Sequence, residues 1–340
     1  MTNSHSGNQT AAKPVILYYG GCWPTNIGNA FIDIGAQALL RHAVPEATVL
    51  IASEAPRWFF SNPKAQVGRT HKSRRRGPAP AAENALDIAA HVVCDLVVFS
   101  GMAMCDEFVR VNGPTIRALR RRGIPVFLMG TGGDYYTPEE KASFGAFLEE
   151  VQPVAFISRD TASFQTYREY VSNSHSGIDC GFFVALGYDP PSLDLEPYVV
   201  MNFDTTAEPE IAVDGLRVMR TNHCCWGPVA EAVAAVQDTL VSDLPEDYLA
   251  LYAQASCTYS DRVHACVATL AYGGKARLFH STPRGGLFEA VGAEGIRSAP
   301  VAVAPEVLKG KRQQQIALVS EIVHAALKNT RREHPEVNKV

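Results

Sequence analysis

Apolar residues in this chain fall into short β-branched or aromatic runs, each stopped by glycine or a small polar residue and followed by helical spacing. Pro14–Gly20 is the first such run and predicts a buried strand ending at Gly20-Gly21. A turn-rich loop over 21–29 then feeds a helix from Ala30 to His42. Further strands are predicted at Thr48–Ile51, Asp95–Phe99, Ile124–Met129 and Val154–Ile157, with Ser100-Gly101 and Gly130-Thr131-Gly132-Gly133 as strand-end loops. Helices are predicted near Gly113–Arg122, opening at Thr137-Pro138-Glu139-Glu140, and after Ser158-Arg159-Asp160 to about Tyr170. The Thr137 start has a capping hydroxyl, proline at the first position and carboxylates in the first turn. Strand, loop and helix in repeated order predict a parallel sheet with helices on both faces.

The stretch Asp189–Pro197 is proline-rich and polar, which places a domain boundary there. Beyond it the pattern predicts a strand at Tyr198–Phe203, helical spacing over Pro228–Val241, a helix near Asp247–Gln254 and a strand at Ala276–Phe279. The loop His280–Gly286 then leads to a helix ending at Val291. The expected organisation is a disordered N-terminus (1–13), a first domain (14–190), a second domain (197–310), and a terminal helix and tail (311–340). Residues 53–83, with the basic run His71–Arg76, and residues 204–222 are expected to be variable loops.

At 340 residues the chain is long enough for two domains, each with its own core. A net charge of −4 argues against a nucleic-acid partner, since neutralising phosphates needs a concentrated basic surface. A small molecule is the expected partner. The eight cysteines include no Cys-x-x-Cys pair and predict reduced thiols in a cytoplasmic protein, with no metal site. No apolar run reaches the length of a membrane span.

The candidate chemistry centres on Ser260-Asp261-Arg262-Val263-His264-Ala265, where Arg262 and His264 stand at a predicted helix start. A cap with a structural salt bridge is one reading of the pair, and an anion-binding, proton-transferring site is the other. Arg159-Asp160 either pins a helix start or supplies a second cation. Gly101, Gly130 and Gly132 are turn glycines at strand ends, which in a parallel sheet also line the ligand crevice. Ser281, Thr282 and Arg284 could hold phosphate or form a polar turn. His223-Cys224-Cys225-Trp226 has too few ligands for a metal site and suits a buried soft patch, and Arg74–Arg76 suits an anionic acceptor or a solvated loop.

Motif order over roughly residues 15–292 resembles that of the polysaccharide pyruvyl transferase family. Asn26-Ile27-Gly28-Asn29 corresponds to its Asn-x-Gly-Asp loop, with Asn29 in place of Asp, and Ser100-Gly101 to a Gly-Gly strand end. The Gly-x-Gly loop (Gly130–Gly132), the Arg-Asp-x-x-Ser region (Arg159–Ser163), the Asp-x-x-Phe segment (from Asp179) and Ser-x-Arg-x-His-Ala (Ser260–Ala265) follow in order. The resemblance implies two Rossmann-like domains facing a cleft, as in GT-B glycosyltransferases, with a terminal helix crossing back to the first domain. It implies transfer of a pyruvyl group, as a ketal or an enolpyruvyl ether, from phosphoenolpyruvate to a saccharide, nucleotide-sugar or lipid-linked sugar acceptor. No metal or organic cofactor is implied.

On that reading Arg262 and Arg159 hold the donor's anions, because a guanidinium fork fits phosphate and carboxylate, and His264 moves a proton. Asn26, Gly28, Gly101, Gly130, Gly132, Ser281, Thr282 and Arg284 are expected to contact substrate. A GT-B glycosyltransferase and a non-catalytic ligand-binding family member are the competing expectations, the second resting on Asn29 and Ser100.

Overall fold

Strand β1 (Val15–Gly20) sends Ile16 and Tyr18 into one hydrophobic core and Leu17 and Tyr19 into another, so both of its faces are buried. That is why the run is continuously apolar instead of alternating. Parallel to it run β2 (Thr48–Ser53), β3 (Leu96–Met104), β4 (Val126–Gly133), β5 (Ala155–Ser158) and β6 (Ser174–Ser176), in the order β2-β1-β3-β4-β5-β6. Helix α1 (Gly28–Ala43) covers one face, while α2 (Asp106–Arg121) and α3 (Pro138–Val151) cover the other. The computed structural model describes residues 13–21, 23, 26–54, 57, 86–213, 215–224 and 228–333. The expectations for residues 1–12, for most of the 53–83 loop with Arg74–Arg76, for Cys225 and Trp226, and for the end of the tail lie outside the described residues.

Helix α2 starts well before Gly113, because Phe108, Val111, Ile116 and Leu119 form one buried stripe that continues through Pro114. Thr137 caps α3 as expected, accepting from Glu140 N at 3.2 Å. Asp160 caps α4 (Thr161–Tyr167) through Ser163 N at 2.7 Å.

A second parallel sheet contains β7 (Tyr198–Asn202), β8 (Arg217–Thr221), β9 (Thr239–Leu240), β10 (Cys257–Ser260) and β11 (Ala276–Leu278), in the order β11-β10-β7-β8-β9. Two expectations are corrected here. The segment 204–222 is not all loop: it ends in β8, a strand whose arginines at 217 and 220 hide its apolar signal. The helical spacing over Pro228–Val241 yields a helix only to Ala234, and the chain then adds the two-residue β9, too short to show a period. Helices α5 (Pro245–Ala253) and α6 (Val263–Ala271) pack on this sheet. The turn after β11, Pro283–Val291, is 3₁₀ and not α-helical.

The final helix α7 (Pro305–Glu333) begins before Lys311, at a proline, which suits a first turn because that turn's N–H groups have no intrahelical partner. It buries Val319, Ile322 and Val323 in the core shared by β1, β3 and α1. Arg312 donates through Nε to Phe182 O at 2.7 Å and through Nη2 to Ala271 O at 2.9 Å, so the helix fastens a first-domain turn to α6. Helix α1 is shared as well: Ile32 and Leu39 belong to the first core, Ala30 and Phe31 to the core of the second sheet. The architecture is two Rossmann-like domains face to face, tied by α1 and α7. No described helix is long and apolar enough to cross a membrane.

Candidate functional site

In each sheet the chain reverses its direction of strand addition once, between β1 and β3 and between β7 and β10. Ligand crevices form at the carboxyl ends of strands at such switch points. Both points open onto one cleft of about 760 Å³. Its first-domain wall includes Tyr18, Gly20, Asn26, Ser100, Gly101, Asp134 and Arg159, and its second-domain wall includes His223, Arg262, His264, Ser281, Thr282 and Arg284.

The second wall is built outward from β10. Ser260 Oγ donates to Asn202, lying 2.9 Å from its main-chain O and 2.8 Å from its Oδ1, and accepts from Arg262 N at 2.8 Å. This turn sets Arg262 as the N-cap of α6 with extended backbone. Asp261 accepts from the main-chain N–H groups of Asp204, Thr205 and Thr206 at 3.1, 2.7 and 2.8 Å. Burial pushes the Asp261 carboxyl up, but these bonds and the Thr205 hydroxyl hold it below the usual range. The loop pinned in this way presents Asp204, whose Oδ2 accepts from Arg262 Nε at 2.7 Å and from His223 N at 2.9 Å. Burial raises the Asp204 carboxyl despite Arg262 beside it. The outer guanidinium nitrogens of Arg262 have no hydrogen-bond partner among the described residues, and the residue lines the cleft.

His264, one position into α6, places Nε2 3.5 Å from Asp179 Oδ1. The two atoms do not meet hydrogen-bond geometry, and the contact is ionic when the ring is protonated. Asp179 is fully buried, its Oδ1 accepts from Gly181 N at 2.7 Å, and its Oδ2 has no hydrogen-bond partner among the described residues. Burial alone would raise this carboxyl, but His264, Arg159 and the Gly181 N–H outweigh it and hold the pKa below the ordinary value. Asp179 therefore stands as a carboxylate beside His264, which itself lines the cleft.

Arg159 is 1% exposed, donates through Nη2 to Gly133 O at 3.0 Å, and still reaches the cleft. Its neighbour Asp160 caps α4 and lies 3.5 Å from Arg159 Nε through Oδ2, so the pair that pins the helix start also brings the guanidinium to the edge of the cleft. Gly132 makes this possible, since a Cβ there would occupy the place of Arg159 Nε. Gly101 (φ +78°) and Gly130 (φ +62°) take left-handed backbone where the β3 and β4 registers shift, which kinks the strand ends at the rim.

Of the expected site residues, Arg159, Arg262, His264, Asn26, Gly101, Ser281, Thr282 and Arg284 meet at the cleft. Gly130 and Gly132 shape it from behind. Gly28 sits where α1 meets the second domain, a Cβ there lying 3.0 Å from both His223 Nδ1 and His264 Cβ. Arg284 Nη2 pairs with Asp134 Oδ1 at 2.6 Å, closing the cleft from opposite walls.

Asp179, Asp204 and Asp134 were not among the residues expected to act. Asp179 lay inside a motif that marked it, but Asp204 and Asp134 carry no local signal. His223 is also a cleft residue: Nε2 meets Tyr252 Oη at 2.9 Å, Nδ1 is buried without a partner among the described residues, and burial, with Arg262 and His264 nearby, keeps the ring neutral.

The model of a protein family, polysaccharide pyruvyl transferase, matches residues 26–279. No curated relative matches the sequence significantly. Among solved structures, UDP-GlcNAc 2-epimerase from Neisseria meningitidis bound to UDP-GlcNAc is similar at 12% identity, with 93% of this chain and 100% of that chain covered and a TM-score of 0.51. A putative UDP-N-acetylglucosamine 2-epimerase from Listeria monocytogenes (12% identity, 91% of each chain, TM-score 0.49) and UDP-N-acetylglucosamine 2-epimerase from Rickettsia bellii (12% identity, 94% of this chain and 98% of that chain, TM-score 0.49) are also similar. At such identities the likeness is one of fold.

Proposed function

Because this chain belongs to the polysaccharide pyruvyl transferase family, we propose that it moves a pyruvyl group from phosphoenolpyruvate to a hydroxyl of a saccharide acceptor and releases phosphate. The observation that carries the reading is the convergence of Arg159 and Arg262 from opposite walls on one cleft that also holds the His264–Asp179 pair. Phosphoenolpyruvate bears a phosphate and a carboxylate close together, and two guanidinium groups offer planar forks for both. His264, as imidazolium stabilised by Asp179, protonates the methylene carbon of the enol. Positive charge then develops at the ether carbon, an acceptor hydroxyl adds there with loss of its proton, and phosphate departs toward the arginines. The oxocarbenium carbon left behind either returns a methyl proton to His264, giving the enolpyruvyl ether, or takes a second acceptor hydroxyl with loss of its proton, giving the ketal.

In this reading the arginines carry the charge compensation and neither a metal nor an organic cofactor is assigned a role. The Arg284–Asp134 pair draws the two walls together and sets the position of the Ser281-Thr282 loop over the donor. The reaction is assigned to the cytoplasm, in keeping with the six described cysteines being free thiols.

The test is phosphate release from phosphoenolpyruvate with a panel of monosaccharides, glycosides, nucleotide sugars and lipid-linked sugars. Phosphate release that depends on an acceptor, with a pyruvylated product by mass spectrometry, is expected. Release of nucleoside diphosphate from a nucleotide sugar, with none of phosphate from phosphoenolpyruvate, would assign the cleft to glycosyl transfer. Tight phosphoenolpyruvate binding with no turnover would assign it to ligand binding.

A further inference from the structure

The first-domain wall contains a buried carboxyl that the chemistry above leaves unused. Asp33 lies on α1 one turn beyond Asn29, the position where the family pattern has Asp, and both residues line the cleft. Its Oδ1 accepts from Tyr18 Oη at 2.7 Å and its Oδ2 accepts from Trp23 Nε1. Tyr18 Oη is 2.5 Å from Ser100 Oγ, and Ser100 is the chain's other departure, standing where the family pattern has Gly. Counting protons gives the chain its direction. Tyr18 has one hydroxyl proton and gives it to Asp33, so Ser100 donates to Tyr18 and keeps its lone pairs for a hydroxyl in the cleft. A glycine at position 100 could not make the link.

Building on the reading of pyruvyl transfer, we propose that Asp33 is the final proton acceptor for the attacking hydroxyl of the sugar, reached through Ser100 and Tyr18. As the acceptor oxygen bonds to the ether carbon, its proton passes to Ser100 Oγ, the Ser100 proton to Tyr18 Oη, and the Tyr18 proton to Asp33 Oδ1. Each hydroxyl loses one O–H bond and gains one, the carboxylate ends neutral, and its proton leaves to water before the next turnover.

The groups facing Asp33 are Tyr18 from β1, the Gly21 N–H and Trp23 from the loop after it, Glu54 just past β2 and Cys180 from the turn before Phe182, with Ser100 of β3 on the far side of Tyr18. Burial moves the carboxyl up to about 7, with Glu54 adding to the shift and the bonds from Trp23 and Tyr18 opposing it. A base of that strength suits proton transfer near neutral pH. The carboxyls of Asp33 and Glu54 on this wall repel the donor's phosphate and carboxylate, so an uncharged hydroxyl is what the wall suits.

The test compares wild type with Tyr18→Phe, Ser100→Gly and Asp33→Asn in the full chain. It reads kcat for phosphate release from phosphoenolpyruvate with methyl hexopyranosides as acceptors, across neutral pH, and phosphoenolpyruvate affinity by calorimetry. Each variant is expected to lose about a hundredfold or more in kcat, to bind phosphoenolpyruvate within about twofold of wild type, and to lose the acid limb of the pH profile. A Tyr18→Phe or Ser100→Gly enzyme within about threefold of wild-type kcat, or an Asp33→Asn enzyme that keeps the limb, overturns the relay. If wild type releases no phosphate with any acceptor, the functional reading fails separately. The relay is then judged by the carbon-13 signal of the Asp33 carboxyl. Titration near neutrality that moves upward in Tyr18→Phe supports the relay, and titration near the ordinary Asp value of about 4 overturns it.

Discussion

Replacing Asp179 with Asn tests the division of labour in the cleft most directly, because it removes a charge and almost no volume. Asn keeps an oxygen to accept from Gly181 N, now at 2.7 Å, so the turn Cys180–Phe183 retains its cap. What disappears is a carboxylate 3.5 Å from His264 Nε2. Two unit charges at that separation attract by about 1 kcal/mol in bulk water and by about 5 kcal/mol at an effective dielectric of 20. Asp179 is fully buried and the His264 side chain is 13% exposed, which places the pair between these limits and toward the upper one.

The expected outcome is a fall in kcat of about a hundredfold to a thousandfold, since each 1.36 kcal/mol off the stabilised imidazolium costs about tenfold. Affinity for phosphoenolpyruvate, measured by calorimetry, should fall far less than kcat, since Arg159 and Arg262 remain. Stopped-flow phosphate release at saturating donor is the assay. A kcat within about threefold of wild type, in a variant whose melting is unchanged, would remove Asp179 from the proton-transfer machinery and leave it as a turn cap.

The remaining predictions concern the scaffold around that pair. Gly132→Ala puts a Cβ into the space of Arg159 Nε, so donor affinity by calorimetry should drop about tenfold or more with the fold intact; unchanged affinity would show that Arg159 does not bind the donor. Arg312→Ala deletes two charged hydrogen bonds from α7 to Phe182 O and Ala271 O and should cost about 3 kcal/mol in chemical denaturation, a loss below about 0.5 kcal/mol contradicting the clamp. Asp33 gives stability a pH dependence of known sign. Its carboxyl is near 3.9 when unfolded and about 7 when folded, so between these values the folded state keeps a proton that the unfolded state has lost. Its contribution to unfolding free energy is full below the lower value, falls by up to about 4 kcal/mol as pH rises to about 7, and levels off above. Denaturant midpoints at acid and alkaline pH should show the fall, and Asp33→Asn should flatten it; an unaltered slope in that variant contradicts the assignment.

The βα rhythm, both core-facing sides of β1, the Thr137 cap and the parallel sheets were legible in the sequence, because local propensity and burial on two faces leave periodic marks. Legibility stopped at β8 and β9. The first is too polar and the second too short to carry a period; β8 is a strand because β7 offers it a ladder, and β9 because β8 does. In the site, Arg159, Arg262 and His264 could be named because they sit in compact motifs. Asp204 and Asp134 could not, since each matters only through a partner far along the chain: Arg262 for the first and Arg284 for the second.

The sequence by itself determined which groups could handle an anion and a proton, since residue type and motif order specify chemistry. Tertiary structure alone decided which of them share a cleft. Arg159 and Arg262 are brought to one cavity by two strand-order reversals, and α1 and α7 hold the reversals face to face. It also decided that Asp33, an unremarkable position on an amphipathic helix, lies 2.7 Å from a tyrosine linked to Ser100. Such pairings depend on distances between segments that a linear pattern does not encode.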